Sequence, residues 1–450
     1  MTLTIDSIRD CFDGAIPGLI ATCSADGVPN VSYVSEVHYM DSEHLALTFQ
    51  FFSKTRENVL ANPFVTVMLL QPHTAAKFRI ALRYLRTETE GPLFERMKAK
   101  LAGIASHSGM SGVFVLRGAD VYRVLSLERV PGRTLPPPPS AINMLSALRA
   151  CTQGLTNAAD LDQLIDQTLT SLERHCDVRH AMLLMFDEPG KRLYTVASRG
   201  YEVSGVGSEI AMGDGIVGVC ARERTPIRLT HTTSDYVYGR AIRESAAQAG
   251  FADRLETEIP FPGLAAPGSQ LAVPLTLGSR LLGVLFVESP DEMRFGYDDE
   301  DLLAALAAQL SMAIHILQSS PEVHEERVAP PPRRAPAGGP AIPIRYYPAD
   351  HSIFIGENYL IKGVAGAIFW KLVRDYEREG RTEFSNRELR LDPSIRLPDI
   401  ADNLEARLIL LTRRLAERSS DLGIEKTGRG RFRLRVAGSV KPVQIADSAH

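Results

Sequence analysis

Several things are scarce in this chain of 450 residues, and each scarcity removes a class of protein. The five cysteines (Cys11, Cys23, Cys151, Cys176, Cys220) are odd in number, scattered and never paired as CxxC, which argues against both a disulfide framework and a zinc knuckle. No uninterrupted apolar run reaches the roughly 18 residues that cross a bilayer. The opening residues MTLTIDSIRD lack the basic and apolar regions of a secretory leader. A positive balance is missing as well: at a net charge of −4 the whole chain has no pull on nucleic acid or anionic membrane, so any basic surface must be local. No internal repeat occurs. The expectation is a cytoplasmic protein with no membrane attachment and no metal site.

What is present is length and two breaks in composition. At 450 residues the chain exceeds one hydrophobic core. PGRTLPPPPS (131–140) and the Pro/Gly-rich stretch 321–343 cannot bury a core and read as semi-rigid spacers. They divide the chain into units at 1–130, 141–320 and 344–436, with a tail at 437–450. The middle unit ends in DDEDLLAALAAQLSMAIHIL. Asp298, Asp299, Glu300 and Asp301 crowd a helix start, where carboxylates meet unpaired N–H groups and the positive dipole end. Leu303, Leu306, Leu310, Ala313 and Leu317 then fall on one narrow stripe suited to a partner helix. The same pattern also fits a helix that closes its own domain's core.

In the first unit, short β-prone runs alternate with turn signals at Asp26-Gly27 and Asp41-Ser42. SKTRENVLANP changes to a helical rhythm, capped by Ser53 and stopped at Pro63. This order, with Gly27-x-Pro29 in an early hairpin and a strand running into Ser53-Lys54, resembles the pyridoxamine 5′-phosphate oxidase-like split barrel. The resemblance implies a dimeric barrel with FMN in a groove between protomers, its phosphate held by Ser53, Lys54 and the adjacent Arg56. One departure stands out: SYVSEVH (32–38) carries acidic Glu36 on the second strand, where the family's flavin enzymes carry arginine, an apolar pair and lysine. His38, His44, His73 and His107 suggest haem, as in some related barrels, but no common spacing links them.

The second unit opens with an amphipathic helical stretch, continues as hairpins turning at Pro189-Gly190 and Gly278-Ser279, and closes with the acidic-start helix. Gly213-Asp-Gly-Ile216 with Gly218, Ala272-Val-Pro274-Leu275, Gly283-Val-Leu285 and Phe295 together resemble a GAF domain. That implies a sensor: a six-stranded sheet over a pocket for a small molecule. Tyr236, Tyr238, Arg240 and Phe251 lie in the insertion expected to cover that pocket, where aromatic walls with a cation suit a planar anion; they equally suit plain packing of a lid. Cys220, on the apolar run IVGVC, reads as a buried small hydrophobe. After Val287 the chain runs ESPDEM, without the Asn-Lys-x-Asp motif that accompanies cyclic-nucleotide binding in part of the family.

The third unit reads as two short strands, a helix near 364–379, a short helix capped by Ser385 with Glu388 three residues on, a long helix over 399–418, and a basic hairpin turning at 428–430. This resembles the winged helix-turn-helix domain of OmpR-like regulators. Between Arg407 and Arg435 nine Lys/Arg face three Asp/Glu, a local excess of 9 − 3 = 6. That is a phosphate-facing footprint or a solvated charge run. Arg407, Arg413, Arg414 and Arg418 on the helix, with Lys426, Arg429 and Arg431 on the hairpin, are the candidate DNA contacts. Ile409 and Leu410 sit where polar side chains usually read bases, which equally suits a protein interface.

The expected fold class is multidomain α+β: split barrel, then GAF α/β/α sheet domain, then winged helix. The expected function is a dimeric ligand- or redox-sensing transcriptional regulator with double-stranded DNA as partner. The alternatives are an FMN-dependent oxidoreductase with regulatory appendages and a signalling scaffold whose third unit binds protein. No clustered acid, base or nucleophile marks a catalytic residue.

Overall fold

A computed structural model describes residues 3–12, 16, 18–34, 37–49, 53–91, 93–98, 116–137, 142–229, 259–319, 341–395 and 404–445. The first unit is one seven-stranded antiparallel sheet, β1 (Gly18–Cys23), β2 (Pro29–Val34), β3 (Val37–Tyr39), β4 (His44–Phe49), β5 (Phe64–Leu70), β6 (Lys77–Glu88) and β7 (Gly118–Val130), in the order β2-β1-β5-β6-β7-β4-β3. Alternate residues of β5 and β6 (Val65, Val67, Leu69; Phe78, Ile80, Leu82) are buried, as the two-residue period of a curled sheet demands. Helix α1 (Lys54–Ala61) crosses between β4 and β5.

The second unit pairs α2 (Met144–Thr156) and α3 (Leu161–Cys176) with a six-stranded antiparallel sheet ordered β10-β9-β8-β13-β12-β11. Its strands are β8 (His180–Asp187), β9 (Arg192–Arg199), β10 (Glu209–Ala211), β11 (Ile227–Leu229), β12 (Ser269–Leu277) and β13 (Arg280–Ser289). Asp160 starts α3 by accepting the Gln163 N–H at 2.9 Å, and Leu161, Leu164, Ile165, Leu169 and Leu172 then bury one face. Helix α4 (Gly215–Glu223) lies on the opposite sheet face. The glycine at 218 is dictated by crowding: a Cβ there would come 2.4 Å from the Ala211 carbonyl oxygen.

Helix α5 (Tyr297–Ser319) closes the sheet. Leu303, Leu306, Leu310 and Ile314 are at most 2% exposed and pack with the sheet and α2, each contributing about 2 kcal/mol by burial. The stripe read from the sequence as suited to a partner helix is therefore largely spent inside its own chain, while Met312 and Ile316 stay exposed. Over Tyr297–Gln318 this helix, at mean hydropathy 1.4, is long and apolar enough to cross a membrane; Gln309, Ser311 and His315 interrupt the run, and its buried stripe already covers the sheet. Its acidic start docks onto the first unit. Arg9 reaches Asp301 at 2.9 Å, and the Tyr297 ring enters the barrel core with its hydroxyl donating to the Phe12 carbonyl.

The third unit contains β14 (Ile342–Tyr347), β15 (Ser352–Ile355) and β16 (Asn358–Ile361), then α6 (Gly363–Glu379), β17 (Glu383–Ser385), α7 (Asn386–Leu391) and α8 (Leu404–Arg418). β18 (Leu422–Gly428) and β19 (Arg431–Val436) form the hairpin. Residues the sequence left to a tail form β20 (Val440–Gln444), which pairs in parallel with β14. The apolar core runs without a break from the second unit into this one.

Candidate functional site

Three places carry polar groups that the fold does not need for its own sheets. In the barrel, the Ser53 hydroxyl caps α1 by accepting the Arg56 N–H, and Lys54 is exposed beside it. Arg56 turns away from that surface. Its guanidinium pairs with Asp120, and its other amino group donates to Thr87 at 2.8 Å; Thr87 in turn donates to Asp120 at 2.6 Å. Both charged side chains are almost buried, at 12% and 8% exposed. With Arg56 committed inward, Ser53 and Lys54 offer a single cation, and these residues do not by themselves fit a phosphate dianion. His44 is held by Asp41 at 3.0 Å, His38 is buried, and His107 lies outside the described residues. Among the described residues no group of three or more His, Cys, Asp or Glu could hold a metal ion.

On the second unit, Tyr236, Tyr238, Arg240 and Phe251 lie outside the described residues. The face they were expected to cover is described, and it holds a polar row the sequence reading passed over. His180, Glu288 and Gln270 stand side by side on β8, β13 and β12. Glu288 is 2% exposed; it accepts the Leu264 N–H at 2.8 Å and the Gln270 amide at 3.0 Å. Burial outweighs these bonds and raises its pKa above the usual carboxylate range. The Tyr201 ring packs against His180, tilted at 57° with centroids 5.5 Å apart, and the Gln270 carbonyl oxygen and His180 Nδ1 are buried without a hydrogen-bond partner among the described residues. Apolar Met182, Phe286 and Ala272 continue the same face. The sequence signal was there: a glutamate at the end of the apolar strand RLLGVLFVES has nowhere dry to go unless something meets it. Cys220 is fully buried, and burial pushes its thiol pKa up, so it behaves as a small hydrophobe.

The third place is α8 with the hairpin, and here the candidate DNA contacts separate into three groups. Arg407, Arg413 and Lys426 point at the second unit. Arg407 pairs with Asp187 and lies 5.3 Å over the Tyr194 ring; Arg413 donates to Asp162 and Asp166, each at 2.7 Å; Lys426 reaches Asp160 at 2.7 Å. Arg414 turns into its own unit. It is 2% exposed, donates to the Leu360 carbonyl at 3.0 Å and pairs with Glu417 at 2.9 Å. Arg418, Arg429 and Arg431 are exposed and make no ion pair with another described residue. Leu410 is buried, packed with Arg414 near Gly207 of the β9–β10 loop, so this flank of the helix is an interface between units. A sequence signal existed in DLDQLID (160–166), three acids within the first turns of α3.

The pyridoxamine 5′-phosphate oxidase family model matches residues 4–124 and the GAF domain model matches residues 158–315. The chain thus carries an oxidase-like N-terminal domain followed by a GAF domain, a combination that supports a sensing or flavin-related role. No curated protein matches. Among solved structures, the GAF domain of an Acinetobacter phosphoenolpyruvate-protein phosphotransferase is 22% identical, covering 40% of this chain and 97% of its own, with a TM-score of 0.31. Free methionine-R-sulfoxide reductase from Neisseria meningitidis, solved with its substrate, is 16% identical over 40% of this chain and 95% of its own, at a TM-score of 0.31. An FMN-binding protein from Syntrophomonas wolfei is 16% identical over 28% of this chain and 86% of its own, at 0.25. Likenesses this distant say nothing of ligand or activity here.

Proposed function

We propose that this chain is a ligand-responsive, DNA-binding regulator that works as a cytoplasmic homodimer, with the barrel and GAF domain sensing and the C-terminal unit acting as a winged helix. The observation that carries the reading is the exposed trio Arg418, Arg429 and Arg431, without an ion-pair partner among the described residues, at the end of α8 and the tip of the β18–β19 hairpin. In a winged helix these positions face the duplex backbone. The order helix, short strand, helix, helix, hairpin over Gly363–Val436 supports the same reading. A ligand on the sheet face around Glu288 would have to prefer one arrangement of the units to exert control.

The test is retention of duplex DNA by the full chain at low and at raised salt. Binding should fall steeply with salt, and Arg429→Glu with Arg431→Glu should weaken it by about tenfold or more through lost phosphate contacts. Unchanged retention in the double variant would remove the hairpin from the account.

A second reading, a scaffold whose C-terminal unit binds protein, is favoured by the burial of Leu410 and Arg407 against the GAF domain, since that flank already serves as a protein interface. The flavin reading rests on the family match of the barrel. An absorption spectrum of the purified protein without a flavin band would set it aside.

A further inference from the structure

The acids that meet α8 and the β18–β19 hairpin belong to one small region of the GAF domain, the start of α3 and the end of β8. Asp160 is already fixed as the α3 cap; although burial opposes it, the Gln163 N–H and Lys426 together hold its pKa below the usual range, so it stays charged. Asp162, Asp166 and Asp187 supply three more carboxylates, and Lys362 meets Glu209 on the same side at 3.3 Å. Arg407 is 6% exposed in this arrangement, too enclosed for a duplex to reach. Most of these pairs are partly solvated, the kind that breaks and re-forms at little cost.

We propose that this acidic region is an intramolecular clasp: its carboxylates occupy Arg407, Arg413 and Lys426 in place of nucleic-acid phosphates, so that these three cations meet DNA only after the C-terminal unit has left the GAF domain. The inference rests on the DNA-binding reading above. Docked, the basic run 407–435 offers Arg418, Arg429 and Arg431 without an ion-pair partner among the described residues; undocked, it adds Arg407, Arg413 and Lys426, which doubles that number. The clasp also lies within reach of the sensor face. Leu264, bonded to Glu288, belongs to the segment whose Pro262 and Ile259 crowd Gly205 and Gly207, and Gly207 abuts Leu410. Ser204 of the same loop bonds Glu417 on α8.

The experiment uses the full chain with Asp162→Asn, Asp166→Asn and Asp187→Asn combined, none of which is a proposed DNA contact. A fluorescently labelled duplex of mixed sequence is titrated across a salt series, and small-angle scattering reads overall dimensions. Expected are binding tighter by about tenfold or more, a salt slope steepening in magnitude from about 3 to about 5 as the phosphates engaged rise from three to six, and a larger radius of gyration. Unchanged affinity, slope and dimensions would overturn the clasp while leaving the DNA reading intact. Expansion with no DNA binding by either protein would overturn the DNA reading and with it the masking role. A charge swap guards against misfolding: Arg413→Glu alone should expand the protein, and adding Asp162→Lys with Asp166→Lys should restore its compact dimensions. Failure of that rescue would overturn the pairing as the holding contact.

Discussion

Replacing Arg414 by alanine asks whether this arginine serves the interior of the C-terminal unit or a surface that meets DNA. Its guanidinium donates to the Leu360 carbonyl on β16 and to Glu417, and the residue is 2% exposed. A hydrogen bond from a charged donor contributes about 1.5–3 kcal/mol, and loss of the aliphatic stem beside Leu410 adds about 1 kcal/mol. Against this stands relief of a desolvated charge, since burial already lowers the Arg414 pKa. The balance is a loss of about 2–3 kcal/mol. Trp370, the sole tryptophan, makes the assay specific: it stacks on Tyr346 at 4.6 Å with ring planes 8° apart, so its emission reports on this unit alone. With a urea dependence of about 1–2 kcal/mol per molar for a unit of this size, the midpoint should fall by about 1–3 M. Arg418→Ala, at the exposed helix end, should stay within about 0.5 kcal/mol of the parent. A shift below about 0.3 M for Arg414→Ala, accompanied by weakened DNA binding, would refute the reasoning and return Arg414 to the phosphate-facing set.

Two further perturbations address the barrel and the GAF domain. Asp120→Asn removes the counter-charge facing Arg56 in a nearly closed site and should destabilise the barrel by about 3 kcal/mol, read as faster hydrogen exchange in β6 and β7; unaltered exchange would mean that this ion pair does not hold the barrel together. Glu288 has a folded-state pKa raised by burial, so the folded chain holds its proton more tightly than the unfolded one. Its contribution is therefore most favourable below the ordinary glutamate range and is lost as pH rises toward the folded value. Glu288→Gln should gain in melting temperature relative to the parent as pH climbs from about 4 to about 7; a difference that does not change with pH would place that carboxyl in solvent.

Much of the fold was legible because its signals are local. Ser385 capping the Glu388 N–H, the helix from Gly363 and the hairpin about Gly430 follow from residues within a few positions of one another. What was not legible depends on partners far away in sequence. Strand β20 has no pattern of its own beyond a short apolar alternation, and exists because β14, about a hundred residues earlier, leaves an edge open to it. The acidic start of α5 reads correctly as a helix N-terminus, yet Asp301 and Glu300 also serve Arg9 and Arg228, partnerships across 292 and 72 residues. Arg56 stands beside the expected phosphate residues in sequence and points the other way in space, because Asp120 on β7 draws it inward.

The basic run of the third unit shows why charge counting decides so little by itself. Of its nine cations, Arg407, Arg413 and Lys426 meet the GAF domain, while Arg414, Arg433 and Arg435 pair with Glu417, Glu383 and Glu425 of their own unit. Only Arg418, Arg429 and Arg431 remain without an ion-pair partner among the described residues. A local excess of six therefore describes either a fixed interface with a modest outward charge or a strong polyanion-binding face held in reserve. The two differ in one measurable respect: a fixed interface fastened by its apolar contacts, Leu410 on Gly207 and the shared core, keeps the units together when the carboxylates are neutralised. A reserve held chiefly by charge comes apart, and the steeper salt slope that follows counts the cations it had been hiding.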